Sequence, residues 1–332
     1  MASSKNKHIS VIIPTWNSAA TLPRCLEALL AQSCQDFEVI VMDNGSQDGC
    51  ASDLGSRYPG LVLTLHRLDT NQGYAVANNL AARLAKGEWL ALLNADAFPE
   101  PDWLASLVEA AQRHPEIDSF ASRLIQAGKP ELLDGEGDVY HVSGLAWRRN
   151  HGKPVSIPSS EEEVFSACGA AALLRKDVFL QAGGFDEQYF AYNEDVDLGF
   201  RLQLAGHRCL FVPRAEVLHV GSASTGRGSD TAVYYGHRNL VWTYFKDMPT
   251  SLMLLYLPAH ILMTLSYAFY FLFSGKIGVF WQAKRDAMRH LPKIFRLRNI
   301  VQLPRTTSKH RVHSLINKSL LLKHWVTRLK AS

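Results

Sequence analysis

Two short apolar, β-branched runs, each opening into a polar loop, constrain what this chain can fold into more than any other feature. His8 to Ile13 ends in Pro14-Thr15-Trp16-Asn17, and Phe37 to Met42 ends in Asp43-Asn44-Gly45-Ser46-Gln47-Asp48-Gly49. Such near-continuous apolar runs read as strands buried on both faces, the pattern of a parallel sheet. Between them, Ala19 to Ala31 carries Leu22, Leu26, Leu29 and Leu30 at helical spacing and supplies the crossover helix. The unit is βαβ, and in such sheets ligands bind beyond the carboxyl ends of the strands. Leu61 to Leu65 reads as a third strand, Tyr74 to Ala85 as a helix, and Trp89 to Leu93 as a fourth strand ending in Asn94-Ala95-Asp96. Asp43 and Asp96 thus both fall at strand ends.

A second feature points to chemistry. Tyr192-Asn193-Glu194-Asp195-Val196-Asp197-Leu198 sets three carboxylates within four positions ahead of an amphipathic helix that closes at Gly206. Glu194 and Asp195 would stand at that helix's N-terminus, where the dipole favours anions. Simple acidic capping of a surface helix is the alternative. Asp197 is spaced to pair with Arg201 at i+4. Upstream, Cys168-Gly169-Ala170-Ala171-Ala172 is a run of small residues, suited either to close approach of backbone to a ligand or to a tightly packed strand.

Composition narrows the class. With 332 residues and 47% hydrophobic residues the chain has room for a large core. Its five cysteines form no C-x-x-C pair, so neither a disulfide framework nor a zinc site is expected. Met1 to His8 is polar and runs straight into a strand, without the pattern of a signal peptide. The net charge of +4 conceals an asymmetry: from Ser274 onward 14 Lys and Arg face one acid, Asp286. Just before this basic tail, Met248 to Gly275 contains no Asp, Glu, Lys or Arg and is long enough to span a bilayer.

Seven blocks, IIPTWN, VIVMDNGSQDG, NQGYAVANN, LLNADAFPEPDWL, CGAAALLRKDVF, GGFDEQYFAYNEDVDLGFRLQLAG and VPRAEVLHVGSAS, occur in an order that resembles inverting family 2 glycosyltransferases of the GT-A fold. The bacterial rhamnosyltransferase-like branch is the most similar, and the resemblance runs from about Ile9 to Asn239. It implies a Rossmann-like mixed α/β sheet flanked by helices. It also implies a reaction that breaks an anomeric C–O bond and releases a nucleoside diphosphate.

Under the resemblance each motif acquires a role. Asp43 would accept a hydrogen bond from the pyrimidine ring N–H, with Pro14, Thr15 and Asn17 framing the nucleoside; an Asx-turn is its alternative. Asn94-Ala95-Asp96 takes the place of an Asp-x-Asp motif, so Asp96, completed by His219, would bind a divalent cation, Mg or Mn, beside the diphosphate. Here the motif's first aspartate is Asn94, which weakens the expected metal affinity. Asp195 is the expected general base, supported by Glu194, with Asp197 either structural or acceptor-binding. Gly169 and Ala170 would line the acceptor side. Gly73 would permit backbone contact with the nucleotide, and Asn78 or Asn79 would reach a phosphate or serve the core.

The expected organisation is a GT-A catalytic domain over residues 1–247 and an apolar, basic helical region over 248–332. Pro258 and His260 should interrupt the apolar stretch. Because nucleotide sugars and basic tails both favour the cytoplasmic side, a single crossing is disfavoured. A re-entrant hairpin or interfacial helices would fit, with Lys284, Arg285, Arg289, Lys293, Arg296 and Arg298 over anionic lipid and Phe280 and Trp281 inserted. A soluble helical cap is the alternative. The expected function is transfer of a deoxyhexose such as rhamnose from a dTDP donor to a lipid-linked or cell-surface glycan, in cell wall or polysaccharide biosynthesis, on the cytoplasmic side of the cell membrane. The rivals are a UDP-sugar-dependent polysaccharide or lipid glycosyltransferase and a catalytically silent nucleotide-sugar-binding membrane protein. The charge-free apolar neighbour of the basic tail argues against nucleic acid as a partner. The oligomeric state is not legible.

Overall fold

The computed structural model describes residues 9–157, 159–221, 228–303 and 306–319. Its first half is β1 (Ile9–Thr15), α1 (Leu22–Leu30), β2 (Phe37–Asp43), the one-turn α2 (Leu54–Arg57), β3 (Leu63–Arg67), α3 (Tyr74–Leu84) and β4 (Trp89–Leu93). Parallel pairing joins β1 to β2 and β4, and β2 to β3. The expected strands and helices are present, the third strand displaced two residues along the chain.

Alternation along these strands divides the core between the two faces of the sheet. Ile9, Val11, Ile13, Val39, Val41, Ala91 and Leu93 point to one side and meet Leu22, Leu26 and Leu29 of α1. Ile12, Ile40, Met42, Leu90 and Leu92 point to the other and meet Ala75, Ala77, Ala81 and Ala82 of α3. The alanines let α3 approach the sheet closely. Two apolar faces explain why these runs lack the polar alternation of a half-exposed strand.

The second half extends the sheet with mixed pairing. Its first elements are β5 (Ala97–Pro99), α4 (Trp103–Arg113), β6 (Ser119–Gln126), β7 (Lys129–Glu136), β8 (Asp138–Tyr140), β9 (Ala146–Arg148) and β10 (Glu162–Val164). Then come β11 (Ala171–Arg175), α5 (Lys176–Gln181), a 3-10 turn at Glu187–Tyr189, α6 (Glu194–Ala205) and β12 (Cys209–His219). Strand β11 lies antiparallel between β4 and β6, and the sheet order is β10-β12-β6-β11-β4-β1-β2-β3. A small ribbon, β8 with β9, stands apart.

Helices α7 (Asp230–Asp247), α8 (Thr250–Phe273), α9 (Ile277–Arg289), α10 (Leu291–Gln302) and α11 (Lys309–Leu315) complete the described chain. They share a core with the sheet half: Tyr140, Val142, Phe165 and Phe200 pack with Met248, Leu252, Met253, Val312 and Ile316. By length and composition α8 could cross a membrane. Yet Leu252, Met253, His260, Met263, Tyr267 and Phe271 face inward, while Leu254, Leu255, Ile261, Leu262, Leu265, Phe269 and Phe273 remain exposed on its outer side.

Several expectations for this region are corrected. Pro258 and His260 do not interrupt the apolar stretch, since α8 runs unbroken through both. Pro258 lies on the exposed side, and His260 turns inward, its Nδ1 2.7 Å from the Ser143 carbonyl and its ring stacked on Tyr244. Phe280 is fully buried with Met263, Tyr267 and Phe271. Lys284 is also buried and donates to the His237 carbonyl at 3.1 Å; Arg298 donates to the Phe245 carbonyl at 2.9 Å and to Thr250 Oγ1 at 2.8 Å. These three brace α9 and α10 against α7 and α8 and are not presented to lipid. Trp281, Arg285, Arg289, Lys293 and Arg296 are exposed.

Candidate active site

The chain lays β2 and β3 on one side of β1 and then returns to place β4 on the other. This reversal opens a crevice beyond the carboxyl ends of β1 and β4, where ligands bind in sheets of this kind. Pro14 and Thr15 are the last residues of β1, Thr15 opposite Asp43. Asn17, in the left-handed region at φ 49°, laces the first two loops: its N–H donates to Ser46 Oγ at 2.9 Å and its Oδ1 accepts from Gln47 N–H at 2.9 Å. Asp43, only 4% exposed, accepts the Ser46 N–H through Oδ1 at 2.9 Å, while Oδ2 lies 3.7 Å from Arg67 Nε. One oxygen therefore makes the turn.

The third loop is tied in by Asn44, whose Oδ1 accepts from Gln72 N–H at 2.8 Å and whose Nδ2 donates to the Gly73 carbonyl at 3.1 Å. Gly73 also answers to the packing around it. At φ 92°, a Cβ there would lie 2.6 Å from Phe190, so the glycine is required by the protein's own packing. Asn78 and Asn79 are both buried, with Asn79 bonded to the backbone N–H and carbonyl of Phe185 and Asn78 to the Tyr74 carbonyl. Asn79 thus pins α3 to the Gly183–Phe185 turn, while Asn78 bonds within α3 itself.

At the mouth of β4, Asn94 N–H donates to the Ala170 carbonyl at 2.9 Å, and its buried Oδ1 has no hydrogen-bond partner. Asp96 Oδ1 stands 3.4 Å from His219 Nε2, because β5 pairs antiparallel with the end of β12 and sets His219 opposite Ala97. His219 is 2% exposed, and its Nδ1 donates to Asp134 Oδ2 at 2.7 Å. Asp134 is in turn ion-paired with Arg148. Burial works against the ionised form of Asp134, but the Arg148 charge and bonds from His151 and His219 hold its carboxyl far below the usual carboxylate range. An ionised Asp134 can only accept, so Nδ1 carries a proton, while Nε2 faces Asp96 outside hydrogen-bond geometry. Burial works against a charged imidazole, but Asp134 and Asp96 outweigh it and raise His219 above its ordinary range.

A buried, unsatisfied imidazole nitrogen beside a carboxylate fits a divalent cation, and the carboxylate behind the imidazole is the usual support for such a ligand. Among the described residues no cluster of three or more His, Cys, Asp or Glu ligands forms. A cation here would thus depend on oxygens from elsewhere, as the replacement of an aspartate by Asn94 implies.

Asn193, itself in the left-handed region, starts α6. Asp195, half-buried, accepts the Gly169 N–H through Oδ2 at 3.0 Å and the Val196 N–H through Oδ1 at 2.8 Å. Gly169 and Ala170 therefore connect this carboxylate to the Asn94 loop. A Cβ on Gly169 would meet Tyr74 Oη at 2.8 Å and Asp195 Cβ at 3.6 Å, which accounts for the small residue. Glu194 is buried, and burial followed by the charge of Asp195 pushes its carboxyl well above the usual range. Asp138, buried and accepting from Ser166 Oγ at 3.1 Å, is raised for the same two reasons. Asp197 has no exposure. Burial would raise it, but Arg201, bonded at 2.9 Å as the i+4 spacing expects, and Lys246 hold it at about 2.

Asp134, Asp138 and Arg148 are not evident from the motifs. The signal for the acids was Asp134-Gly135-Glu136-Gly137-Asp138, in which a period of two places three carboxylates on one face of an extended segment.

This crevice, with its carboxylate-bearing helix and Asp-His corner on a mixed sheet, belongs to a protein of the GT-A fold. Two solved structures share that fold. The mannosyltransferase of Pyrobaculum calidifontis, in complex with GDP-Man and Mn2+, superposes with a TM-score of 0.56 at 20% identity, covering 85% of this chain and 75% of that one. Staphylococcus aureus TarS gives 0.60 at 18%, covering 90% of this chain and 52%, about half, of its own. Residues 10–182 match Glycosyl transferase family 2. The N-acetylglucosaminyl-diphospho-decaprenol L-rhamnosyltransferase of Mycobacterium tuberculosis is 31% identical over 261 residues, covering 70% of this chain and 82% of the relative. The chain belongs to glycosyl transferase family 2.

Proposed function

We propose that the chain is an inverting, metal-assisted transferase that moves a deoxyhexose such as rhamnose from its dTDP donor to a lipid-linked or cell-surface glycan. The observation that carries this reading is the seat of Asp195, a carboxylate fixed by the Gly169 N–H beside the Ala170–Asn94 backbone bond. In a single displacement the acceptor hydroxyl loses its proton on the face opposite the leaving diphosphate, and Asp195 is the group we assign to take it. Burial and the charge of Asp195 raise the carboxyls of Glu194 and Asp138 beside it, so both lean toward the acid form and neither is suited to take the proton.

Pro14, Thr15 and Asn17 would frame the nucleoside, and Asp43 would accept the ring N–H through the oxygen that its turn leaves over. Asp96 and His219 would hold Mg2+ or Mn2+ near Asn94; when bound, such an ion neutralises charge on diphosphate oxygens. Support for the sugar and acceptor comes from the mycobacterial relative, whose name joins L-rhamnosyl transfer to N-acetylglucosaminyl-diphospho-decaprenol. A UDP-sugar remains a second reading, since uracil and thymine offer Asp43 the same ring N–H.

We assign catalysis to residues 1–247 and a peripheral seat on the cytoplasmic face of the cell membrane to 248–332. The support is the exposed apolar side of α8 together with exposed Arg285, Arg289, Lys293 and Arg296 in the same helical layer. The deciding experiment is a donor panel of dTDP- and UDP-sugars, run on the parent and on Asp195→Asn. Asp195→Asn should lose about 10²- to 10⁴-fold in transfer with nucleotide affinity nearly unchanged. Activity within a few-fold of the parent would remove Asp195 from the role of base.

A further inference from the structure

We propose that Asn239 of α7 is a positioning residue for transfer, holding the backbone crossing that delivers Asp195 to the crevice; the proposal rests on the reading of Asp195 as base. The crossing runs from the end of the 3-10 turn to the first residue of α6, and it is strained. Phe190 stands at φ 64°, ψ −63°, the centre of a γ-turn closed by the Ala191 N–H donating to the Tyr189 carbonyl at 2.8 Å. That turn is rare and unfavourable for a residue with a side chain. Tyr192 at φ 70° and Asn193 at φ 64° follow, so three of four consecutive non-glycine residues lie in the left-handed half of backbone space. Such a path persists only where its surroundings over-determine it.

The largest share of that determination comes from one amide. Asn239 is fully buried, and the two hydrogens of its Nδ2 are shared among the carbonyls of Tyr189, Ala191 and Tyr192, at 3.0, 2.9 and 2.7 Å. The direction of the amide is fixed independently, since Arg238 Nε donates to Asn239 Oδ1 at 2.9 Å. Arg238 also donates through Nη2 to the carbonyls of Gln188 and Tyr189, and its guanidinium lies 4.1 Å from the centre of the Trp242 ring. On the opposite side of the crossing, Tyr74 N–H donates to the Phe190 carbonyl at 2.6 Å, in the space that Gly73 leaves. The Tyr74 bond adjoins the loop that Asn44 ties to Asp43, whereas the bonds made by the Asn239 and Arg238 side chains end only on residues 188–192 or on each other, away from the loops that carry Pro14, Asn17 and Asp43. Loosening the crossing should move Asp195 and leave the nucleotide side alone.

Asn239→Asp keeps the shape but turns a carboxylate oxygen toward three carbonyls, and Asn239→Ala removes the amide. In the full-length protein both should lower kcat by about 10²-fold while donor KM and dTDP affinity stay within about threefold of the parent. A positioning residue acts through the group it positions, so in an Asp195→Asn background Asn239→Ala should cost no further activity. Unchanged kcat in a folded variant, equal loss of kcat and nucleotide affinity, or losses that add in the double variant would each overturn the proposal. If neither Asn239 variant folds, Arg238→Gln, which frees the amide's oxygen side and the Gln188 and Tyr189 carbonyls, must show the same split. Its absence there would also overturn the assignment. Retained activity in Asp195→Asn alone would instead overturn the base and, with it, the premise.

Discussion

A bond at one nitrogen of an imidazole decides what the other nitrogen can do, and His219 shows the consequence. With Nδ1–H committed to Asp134, Nε2 is the nitrogen left to face Asp96, where a bound cation would take the place of any proton. Chelator should therefore stop turnover, and added Mn2+ should restore it. Asp134→Ala should raise the Mn2+ concentration needed for half-maximal rate about 10- to 100-fold, the usual cost of losing such a support. Full activity of the parent in chelator would reject the metal corner, whereas an unaltered Mn2+ requirement in the variant would reject the role of Asp134. Asp43→Ala should weaken donor and free nucleoside diphosphate alike, by about 1.5 to 3 kcal/mol if the bond is charge-assisted. Calorimetry with dTDP reads this directly, and unchanged affinity would leave Asp43 as a turn residue. At this scale the motif residues were legible because polar groups at strand ends are conspicuous. Their supports were not: Asp134 and Arg148 lie 14 residues apart on separate strands, and Asn239 is an ordinary amide within a helix.

At the scale of elements, strands buried on both faces announced themselves through unbroken apolar runs, which made the first half of the sheet readable. The later strands were harder, because β7 to β10 are short or carry charge, and their partners are distant in sequence. The helical layer misled more, since a charge count cannot tell a solvated lysine from one whose stem and ammonium are enclosed. Burial lowers Lys284 to about 7. A lysine that titrates near 7 when folded and near 10.4 when unfolded costs stability fully below pH 7, and the cost fades as pH rises between those values. Lys284→Met should thus raise the thermal midpoint at pH 6, where relief from enclosing a charged ammonium, on the order of a few kcal/mol, outweighs one lost hydrogen bond to a carbonyl. The gain should shrink toward pH 10. A midpoint change independent of pH would show that the lysine is hydrated in solution.

For the whole molecule, the expected division at residue 247 follows composition, whereas the packing crosses it. A chain ending at Asp247 would uncover Tyr140, Val142, Phe165 and Phe200 and strip α7 of α9 and α10. Each large apolar side chain exposed costs about 1.5 to 3 kcal/mol, and several together rival the roughly 5 to 15 kcal/mol that holds a typical protein folded. The truncated protein should aggregate or fail to bind dTDP, and a soluble, nucleotide-binding product would contradict this. Full-length protein should sediment with anionic vesicles more than with neutral ones and be partly released by salt, each surface Lys or Arg contributing about 1 kcal/mol. Indifference to every vesicle composition would make the outer side of α8 a contact between proteins.

That outer side has a kinetic corollary. An enzyme seated by α8 meets a lipid-borne acceptor by searching an area and not a volume, so its rate follows the number of acceptors per unit of bilayer. Diluting the acceptor with inert lipid, at fixed total amounts of enzyme and acceptor, should slow transfer, while diluting the whole suspension with buffer should barely change the rate per enzyme.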